Sequence, residues 1–336
     1  MQDWDEDDKS FRVLSIQSHM VSGYCGNKAA VFPLQTLGFD VDILNTVQFS
    51  NHTGYPSWTG KRLNAEEVQE LFDGMEQNGL FGDYTHVLTG YIGNYAILET
   101  IEKTVKKLND QGSKVIYVCD PVMGDLGRIY VAPEIIPLYR NILRITNVVT
   151  PNQFEAELLS DIKIDSLASA KLAANKLHDL GAPNVIITSL HLSVHDIPSD
   201  IILPDADENS LYCLTSQQGS EQHLISFPTY QGYFTGTGDL FSALVVARWQ
   251  EELSKAPGSP SLAQATLRVV ASVNAVTRRT WLNQQKHIKQ LTQGQVQQLN
   301  ARPSDPALVR CCELQLVKGR RDIENPDLEC VKMTRL

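Results

Sequence analysis

The sequence lacks the cysteine spacings that mark disulfide-rich or zinc-binding proteins. Its six cysteines are scattered over 336 residues, and none of them forms a C-x-x-C pair. In a chain of this length, that pattern is typical of reduced thiols in a cytosolic protein. Cys119 ends an apolar run, so we expect it to be buried rather than reactive. We therefore expect the protein in the cytoplasm, with the nucleus as an additional location.

Long apolar runs and an excess of basic residues are also missing. No run approaches the roughly 18 residues of a membrane helix, so we expect no membrane partner. The formal net charge is -10, which argues against a surface that binds nucleic acid or anionic membranes. Residues 1–9 contain five acidic residues and one lysine, without the basic and apolar regions of a signal peptide. We expect residues 1–10 to form an acidic, disordered tail.

Two common nucleotide-binding fingerprints are absent as well. The segment from Gly23 to Lys28 reads G-x-x-G-N-K, whereas a Walker A loop requires G-x-x-x-x-G-K-[ST]. The segment that begins at Gly236 is not a dinucleotide fingerprint, because Phe241 stands at the third glycine position. If this protein binds a nucleotide, it therefore does so by another route.

Strand-like and helix-like stretches alternate over most of the chain. Lys114–Cys119 is a continuous apolar run of the kind found in parallel sheets. After residue 199 the pattern changes to three strand-like runs joined by polar turns, Ile201–Leu203, Leu211–Thr215 and His223–Phe227. The pattern predicts an α/β fold with a mostly parallel central sheet, helices on both faces and an antiparallel edge.

Polar, aromatic or glycine residues stand at the predicted strand ends, where ligands bind in such sheets. Asp120 and Asp125 follow a buried strand, and paired carboxylates there suit a metal–phosphate site. A plain turn is the alternative, because Asp-Pro and Gly-Asp are turn formers. Asn152 follows the next strand and can cap a helix. The other strand-end residues are Ser18, Phe49, Gly90, Tyr91, Thr150, Thr188 and Ser189.

Gly236, Thr237 and Gly238 precede Asp239 and the apolar run Leu240–Ala247. If a helix begins here, its exposed backbone N–H groups and the positive end of its dipole form an anion site. A carboxylate at the same place suits a general base beside a developing negative charge. An ordinary helix N-cap is the alternative interpretation.

Several segments, in chain order, resemble the pyridoxal kinases of the ribokinase-like superfamily. The most particular are Ser15–His19 and Val47–Tyr55, whereas Gly236–Asp239 alone indicates only the superfamily. The remaining segments are Gly26–Ala30, Leu88–Tyr91, Cys119–Asp125, Thr150–Leu159 and Lys318–Pro326. The resemblance implies a three-layer α/β sandwich formed by a single kinase domain over residues 11–326, followed by a C-terminal tail over residues 327–336.

The resemblance also implies an activity, the ATP-dependent phosphorylation of the 5'-hydroxyl of pyridoxal, pyridoxine and pyridoxamine by a homodimer. Asp239 would be the base, and Gly236, Thr237 and Gly238 the anion hole. Substrate contacts would come from Ser18, Val47, Phe49, Thr53 and Tyr91. The ATP side would comprise Asp120, Asp125, Tyr130, Asn152, Ser189, Thr237 and, for adenine, Phe234. Asp125 would help to place Mg²⁺, and Asp120, Thr150 and Thr188 would surround a monovalent cation, K⁺ or Na⁺.

Two other functions remain open at this point. One is a sister kinase whose preferred substrate is hydroxymethylpyrimidine or a sugar. The other is a vitamer- or nucleotide-binding protein that has lost its chemistry. The loop Leu126–Ile129, which is expected to fold over ATP, is shorter than in many relatives and motivates the second alternative.

Overall fold

Side chains alternate in direction along the central strands, and this alternation explains why helices cover both faces of the sheet. The computed structural model describes residues 10–110, 114–125, 127–207, 209–288 and 305–336. Leu14 and Tyr117 belong to the core on one face, whereas Val13 and Val118 belong to the core on the other. Because successive residues of a strand point to opposite faces, strands that are apolar throughout must be covered on both sides.

In the described part of the chain, ten strands form one sheet in the order β12-β11-β10-β9-β8-β5-β4-β1-β2-β3. Two short strands, β6 and β7, form a separate hairpin. The strands are β1 (Phe11–Met20), β2 (Phe39–Phe49), β3 (Gly60–Arg62), β4 (His86–Thr89), β5 (Ile116–Cys119), β6 (Gly124–Asp125), β7 (Arg128–Ile129), β8 (Val148–Val149), β9 (Asn184–His191), β10 (Leu211–Gln217), β11 (Gln222–Ser226) and β12 (Lys332–Arg335).

The central strands β2, β1, β4, β5, β8 and β9 pair in parallel. At one edge β10, β11 and β12 continue the sheet in antiparallel fashion, and at the other edge β3 is antiparallel to β2. The predicted parallel sheet with an antiparallel edge is therefore confirmed. The carboxyl ends of the parallel strands lie at the same side of the sheet, so the loops that follow them meet there.

Helices pack on both faces and complete the three-layer sandwich. Residues of α2 to α6 contribute to one core, and residues of α1, α7, α8 and α10 to the other. The helices are α1 (Asn27–Thr36), α2 (Ala65–Gln77), α3 (Tyr95–Asp110), α4 (Ile135–Ile142), α5 (Gln153–Ser160), α6 (Leu167–Asp179), α7 (Thr237–Lys255), α8 (Leu262–Ile288), α9 (Pro306–Cys311) and α10 (Arg320–Glu324). Among the described residues, no helix combines the length and apolarity that a bilayer span requires.

Three local expectations differ from the structure. The run Ile201–Leu203 is not a strand, because Ser199–Ile201 forms a 3-10 turn. The sequence predicts no strand at Gly60–Arg62, which forms β3. The segment 327–336 is not a peripheral tail, since β12 lies there and pairs with β11. Short polar segments become strands only when a neighbouring edge offers them backbone partners, and a local pattern does not reveal that edge. The predicted acidic tail lies outside the described residues except for Ser10, and Leu126 of the predicted ATP loop lies outside them too.

Candidate active site

Gly236 makes the sharp turn from which α7 begins. It is the N-cap of α7 and has φ +86°, a left-handed conformation that side chains other than glycine rarely adopt. A Cβ at this position would also overlap the carbonyl oxygen of Tyr24. Glycine is therefore required, and the turn leaves the backbone N–H groups of Thr237 and Gly238 at the start of a long helix. The predicted helix start is confirmed.

Asp239 lies in the first turn of α7 and is fixed by a loop from the other end of the chain. The backbone N–H of Gly26 donates a hydrogen bond of 2.7 Å to Oδ2 of Asp239. Burial raises the pKa of this carboxyl, and hydrogen bonds from Gly26 and the Cys25 thiol partly offset that rise. Some of its surface remains accessible to solvent. A partly desolvated, oriented carboxylate beside the backbone N–H groups of a helix start has the properties of a general base.

Asp120 joins this group from the end of β5. Its Oδ2 lies 3.8 Å from the position that a Cβ on Gly238 would take. Burial raises the pKa of Asp120 well above its usual range, and the negative charges of Glu155 and Asp239 raise it further. A carboxyl group whose charge is destabilised by two neighbouring carboxylates is suited to a cation or a cationic substrate complex.

Glu155 was not predicted as a site residue, yet it organises the loop after β5. Its Oε1 accepts a hydrogen bond of 2.9 Å from the backbone N–H of Met123, and its Oε2 accepts one of 2.9 Å from Asn152. The side chain of Asn152 in turn donates 2.8 Å to the carbonyl oxygen of Gly124. Asn152 and Glu155 form a capping box at the start of α5. The spacing N-x-x-E was the sequence signal for this arrangement.

Asp125 and Tyr130 lie on or next to the β6–β7 hairpin, beside the Asn152 cap. The backbone N–H of Tyr130 donates a hydrogen bond of 2.7 Å to the carbonyl oxygen of Met123. Tyr130 itself is 56% exposed. Asp125 is exposed, and its charge is close enough to Glu155 to raise the pKa of that carboxyl. The hairpin thus stands at the rim of the acidic group.

Thr188 and Ser189 do not end a strand, as the sequence suggested, but lie within β9. Here β9 bulges against β10, because Tyr212 pairs with Leu190 whereas Leu214 pairs with Ile187. Bulges redirect side chains and are common near active sites.

Phe234 is half-buried and stands two residues before Gly236, where its ring lies against Gly232. The structure therefore brings Phe234 to the turn before α7, but its contacts identify no adenine pocket among the described residues.

Backbone hydrogen bonds join the residues that follow β8 to the end of β5 and to Thr188 within β9. The N–H of Thr150 bonds to the carbonyl of Cys119, and the N–H of Thr188 bonds to the carbonyl of Pro151. The buried hydroxyl Oγ1 of Thr150 has no hydrogen-bond partner within the described residues. An orphaned hydroxyl between strand ends that carry Asp120 fits a cation ligand. The described ranges contain no group of three or more His, Cys, Asp or Glu residues that could hold a metal alone.

Four of the five residues expected to contact the substrate lie near one another. Val47 and Phe49 pack with Met20 in a small apolar cluster, and Cys25 and Tyr91 pack against it. Ser18 is buried and lies directly against Gly26, whose amide holds Asp239. Ser18 pairs with Val47 after a register shift in β1, so it lies inside the strand rather than beyond its end. The cluster therefore borders the loop whose Gly26 amide holds Asp239.

Thr53 is exposed, but its chain neighbours His52 and Gly54 are buried. His52 is 4% exposed, and its Nε2 lies 3.2 Å from Oε1 of Glu313. Tyr55 donates its hydroxyl to the same oxygen at 3.1 Å. Glu313 was missed by sequence reasoning, because it stands in the C-terminal part of the chain with no local motif around it. Glu313 thus anchors the loop of Thr53 through the residues on either side of it.

All six cysteines are free thiols in the described structure, as predicted. Cys119 is fully buried, and burial raises its pKa to about 12. It is therefore a neutral core residue at the pH of a cell. Cys25 differs because it lies beside Asp239, and burial raises its pKa well above the usual range. Its thiol is accordingly a donor to the carboxylate rather than a nucleophile.

Comparison with known proteins gives a consistent assignment. Residues 67–273 match the family described as phosphomethylpyrimidine kinase. The pyridoxal kinase of Arabidopsis thaliana is 41% identical over 319 residues, which cover 95% of this chain and 93% of that protein. The pyridoxal kinase of Homo sapiens is 39% identical over 330 residues, which cover 94% and 96%.

A solved structure agrees with these relatives over the same length. Pyridoxal kinase from Leishmania donovani, in complex with ADP and pyridoxine, superposes with a TM-score of 0.78 at 36% identity. The match covers 98% of this chain and 100% of that one. Because the agreement in sequence and fold extends over nearly the whole chain, the protein belongs to the pyridoxal kinase family.

Proposed function

We propose that this protein transfers the γ-phosphoryl group of ATP to the 5'-hydroxyl of pyridoxal, pyridoxine and pyridoxamine. The observation that carries the proposal is the position of Asp239, held by Gly26 at 2.7 Å beside the amide-rich start of α7. The full-length relatives named pyridoxal kinase support it. So does the related Leishmania structure, which contains ADP and pyridoxine.

In this proposal Asp239 accepts the proton of the substrate hydroxyl as that oxygen attacks phosphorus. Its raised pKa makes it a better proton acceptor than a solvated aspartate. The backbone N–H groups of Gly236, Thr237 and Gly238 stabilise the charge on the transferring group. Phosphoryl transfer needs positioning and charge stabilisation more than covalent help, and backbone dipoles supply both without a basic side chain.

The vitamer would lie against the apolar cluster of Val47 and Phe49, with Tyr91 beside it. Ser18 and Thr53 would hydrogen bond to the ring nitrogen and substituents. The closeness of Ser18 to Gly26 supports this arrangement, since a ring held at Ser18 would present its hydroxymethyl group towards Asp239. An apolar wall with a few convergent polar groups is the usual composition of such sites.

ATP would lie on the side of Asp120, Asn152 and the β6–β7 hairpin, with contacts from Asp125, Tyr130, Ser189, Thr237 and Phe234. Asp120 and Asp125 would hold Mg²⁺, which neutralises phosphate charge when bound. Metal held by one or two carboxylates plus substrate phosphates is typical of kinases. Thr150 and Thr188, together with Asp120, would hold K⁺ or Na⁺. The hydroxyl of Thr150, which has no hydrogen-bond partner in the described part of the chain, supports that assignment.

A kinase that prefers hydroxymethylpyrimidine is a second candidate, because the matching family carries the description phosphomethylpyrimidine kinase. Purified protein with ATP and Mg²⁺ should be offered pyridoxal, hydroxymethylpyrimidine and ribose in parallel, and kcat/KM measured for each. We expect pyridoxal to give the highest value, with pyridoxal 5'-phosphate and ADP as products. A higher value for hydroxymethylpyrimidine would favour the second candidate, and calorimetric binding without ADP release would favour a binding protein.

We also propose that the enzyme is a cytoplasmic homodimer with one complete site in each subunit. All the residues assigned above belong to one chain, which is consistent with a complete site per subunit. Light scattering during size-exclusion chromatography would give the mass of the assembly directly. A monomer that retains full activity would contradict the dimer.

A further inference from the structure

The carboxylate of Glu313 joins two loops that are distant from it in sequence. Its Oε2 accepts a hydrogen bond of 2.9 Å from the backbone N–H of Tyr24, in the loop after β1. Its Oε1 accepts one of 3.1 Å from the Tyr55 hydroxyl and lies 3.2 Å from Nε2 of His52, both in the loop after β2. One side chain from the C-terminal segment therefore anchors both loops.

The hydrogen bonds around His52 define which of its nitrogens carries the proton. The backbone N–H of Gly54 donates to Nδ1 of His52 at 3.1 Å, so Nδ1 is an acceptor. Nε2 then carries the proton and donates to Glu313. Burial alone would raise the pKa of Glu313, but the donors His52, Tyr24 and Tyr55 outweigh that effect and lower it. A buried carboxylate with three donors is ionised and strongly held.

Both anchored loops lead directly to the part of the site where the vitamer would bind. The carbonyl oxygen of Tyr24 lies where a side chain on Gly236 would be, and Gly26, two residues further on, holds Asp239. In the other loop, Thr53 lies between His52 and Gly54, the two residues whose hydrogen bonds lead to Glu313. Removing the carboxylate would release both loops at once, while the ATP-side hairpin has its own tie at Glu155.

We propose that Glu313 is a positioning residue for the vitamer, because it holds the loops of Tyr24 and Thr53 in the geometry that the acceptor needs. The inference rests on the proposed kinase function. Glu313 itself does not touch the reacting atoms; it acts through the two loops. Its loss should therefore weaken the use of the vitamer and leave the use of ATP nearly unchanged.

The substitution Glu313→Gln tests this directly in the full-length protein. Glutamine keeps the shape of the side chain but offers one acceptor oxygen and turns an NH₂ group towards at least one donor. We expect KM for pyridoxal to rise about tenfold, the size of one lost hydrogen bond to a charged group, while KM for ATP changes less than about twofold. The Kd of pyridoxal measured by calorimetry without ATP should rise in parallel.

Glu157→Gln is the matched control for a general loss of stability. Glu157 is similarly shielded, with its side chain 12% exposed against 11% for Glu313. It also accepts a backbone N–H, from Ile164 at 2.9 Å, across a loop remote from the acceptor. We expect this variant to lower Tm without changing KM for pyridoxal. If Glu313→Gln changed the two KM values equally, or left KM for pyridoxal unaltered, the positioning role would be wrong.

Tyr55→Phe gives a milder second variant in case Glu313→Gln fails to fold. It removes one hydroxyl donor, so KM for pyridoxal should rise about threefold in the wild-type background. In the Glu313→Gln background the same change should have a smaller effect, because residues of one network are not additive. An unchanged KM in Tyr55→Phe, or full additivity in the double variant, would overturn the inference. Wild-type protein that fails to phosphorylate pyridoxal would instead contradict the proposed function.

Discussion

The backbone N–H of Gly26 donates a hydrogen bond of 2.7 Å to Oδ2 of Asp239. The two residues are 213 positions apart in sequence, and the bond joins the loop after β1 to the first turn of α7. It links the element that borders the acceptor with the element that would stabilise the transferring phosphoryl group. The orientation of Asp239 is therefore a property of the fold rather than of its own helix.

The turn at Gly236 should not tolerate a methyl group. Gly236→Ala would force alanine into φ +86° and against the carbonyl oxygen of Tyr24. A left-handed residue costs roughly 1–2 kcal/mol, and the overlap adds to it, so both Tm and kcat should fall. Thermal unfolding and steady-state kinetics measure the two effects.

Gly38→Ala is the control for strain alone. Gly38 has the same φ of +86°, and apart from Gly38 itself and its two chain neighbours no described residue has an atom within 4 Å of the Cβ that it would gain. This variant should lose stability but keep its kcat. A kcat for Gly236→Ala as high as that for Gly38→Ala would show that the exact path of the turn does not matter for catalysis.

The Asn152 cap should affect ATP more than pyridoxal. Asn152→Ala removes the side-chain acceptor for the Glu155 N–H and the donor to Gly124, which loosens the loop that carries Asp125. We expect a stability loss of about 1 kcal/mol, as for other caps, and a higher KM for ATP with a nearly constant KM for pyridoxal.

Asn64→Ala is a matched comparison for the cap. Asn64 forms the same capping box with Glu67 at the start of α2, away from the hairpin of Asp125. It should lose similar stability in chemical denaturation without any change in KM for ATP. Equal KM values for ATP in the two variants would remove Asn152 from the nucleotide side.

His86 should make stability fall on mild acidification. It is buried beside Phe11 and Phe39, and burial lowers its pKa from 6.5 to about 4. Between these values the unfolded chain binds a proton that the folded protein does not, so the free energy of unfolding decreases as pH falls from 6.5 towards 4. The pKa difference corresponds to a change of at most about 3 kcal/mol in the free energy of unfolding.

Denaturation of wild type and His86→Gln over that pH range measures this contribution. The variant should have a flatter dependence on pH, and the two curves should approach each other at the acidic end. Parallel curves would mean that His86 does not remain neutral in the folded protein.

Local patterns predicted the parts of the site that local physics decides. The start of α7 at Gly236 and the Asn152 cap follow from glycine geometry and side-chain capping within a few residues. The apolar strand before Asp120 follows from the burial of a parallel sheet. Resemblance to the pyridoxal kinases then supplied roles for residues such as Ser18 and Thr53, which no periodicity assigns.

Contacts between distant segments could not be predicted in the same way. Glu313 is 289 positions from Tyr24 and 258 from Tyr55, and nothing in its neighbouring sequence indicates these partners. The sequence predicts a tail where β12 lies, because the pairing of β12 with β11 depends on an edge formed elsewhere. Thr188 was placed at a strand end because the bulge opposite Tyr212 cannot be recognised from one strand alone.

The most direct test of the account is the turnover of Asp239→Asn with ATP, Mg²⁺ and pyridoxal. Asparagine keeps an acceptor oxygen for the Gly26 N–H but cannot take a proton from the 5'-hydroxyl. We expect kcat to fall by about two to four orders of magnitude, while calorimetry shows pyridoxal bound with nearly wild-type Kd. Formation of pyridoxal 5'-phosphate at the wild-type rate would contradict the assignment of Asp239 as the base.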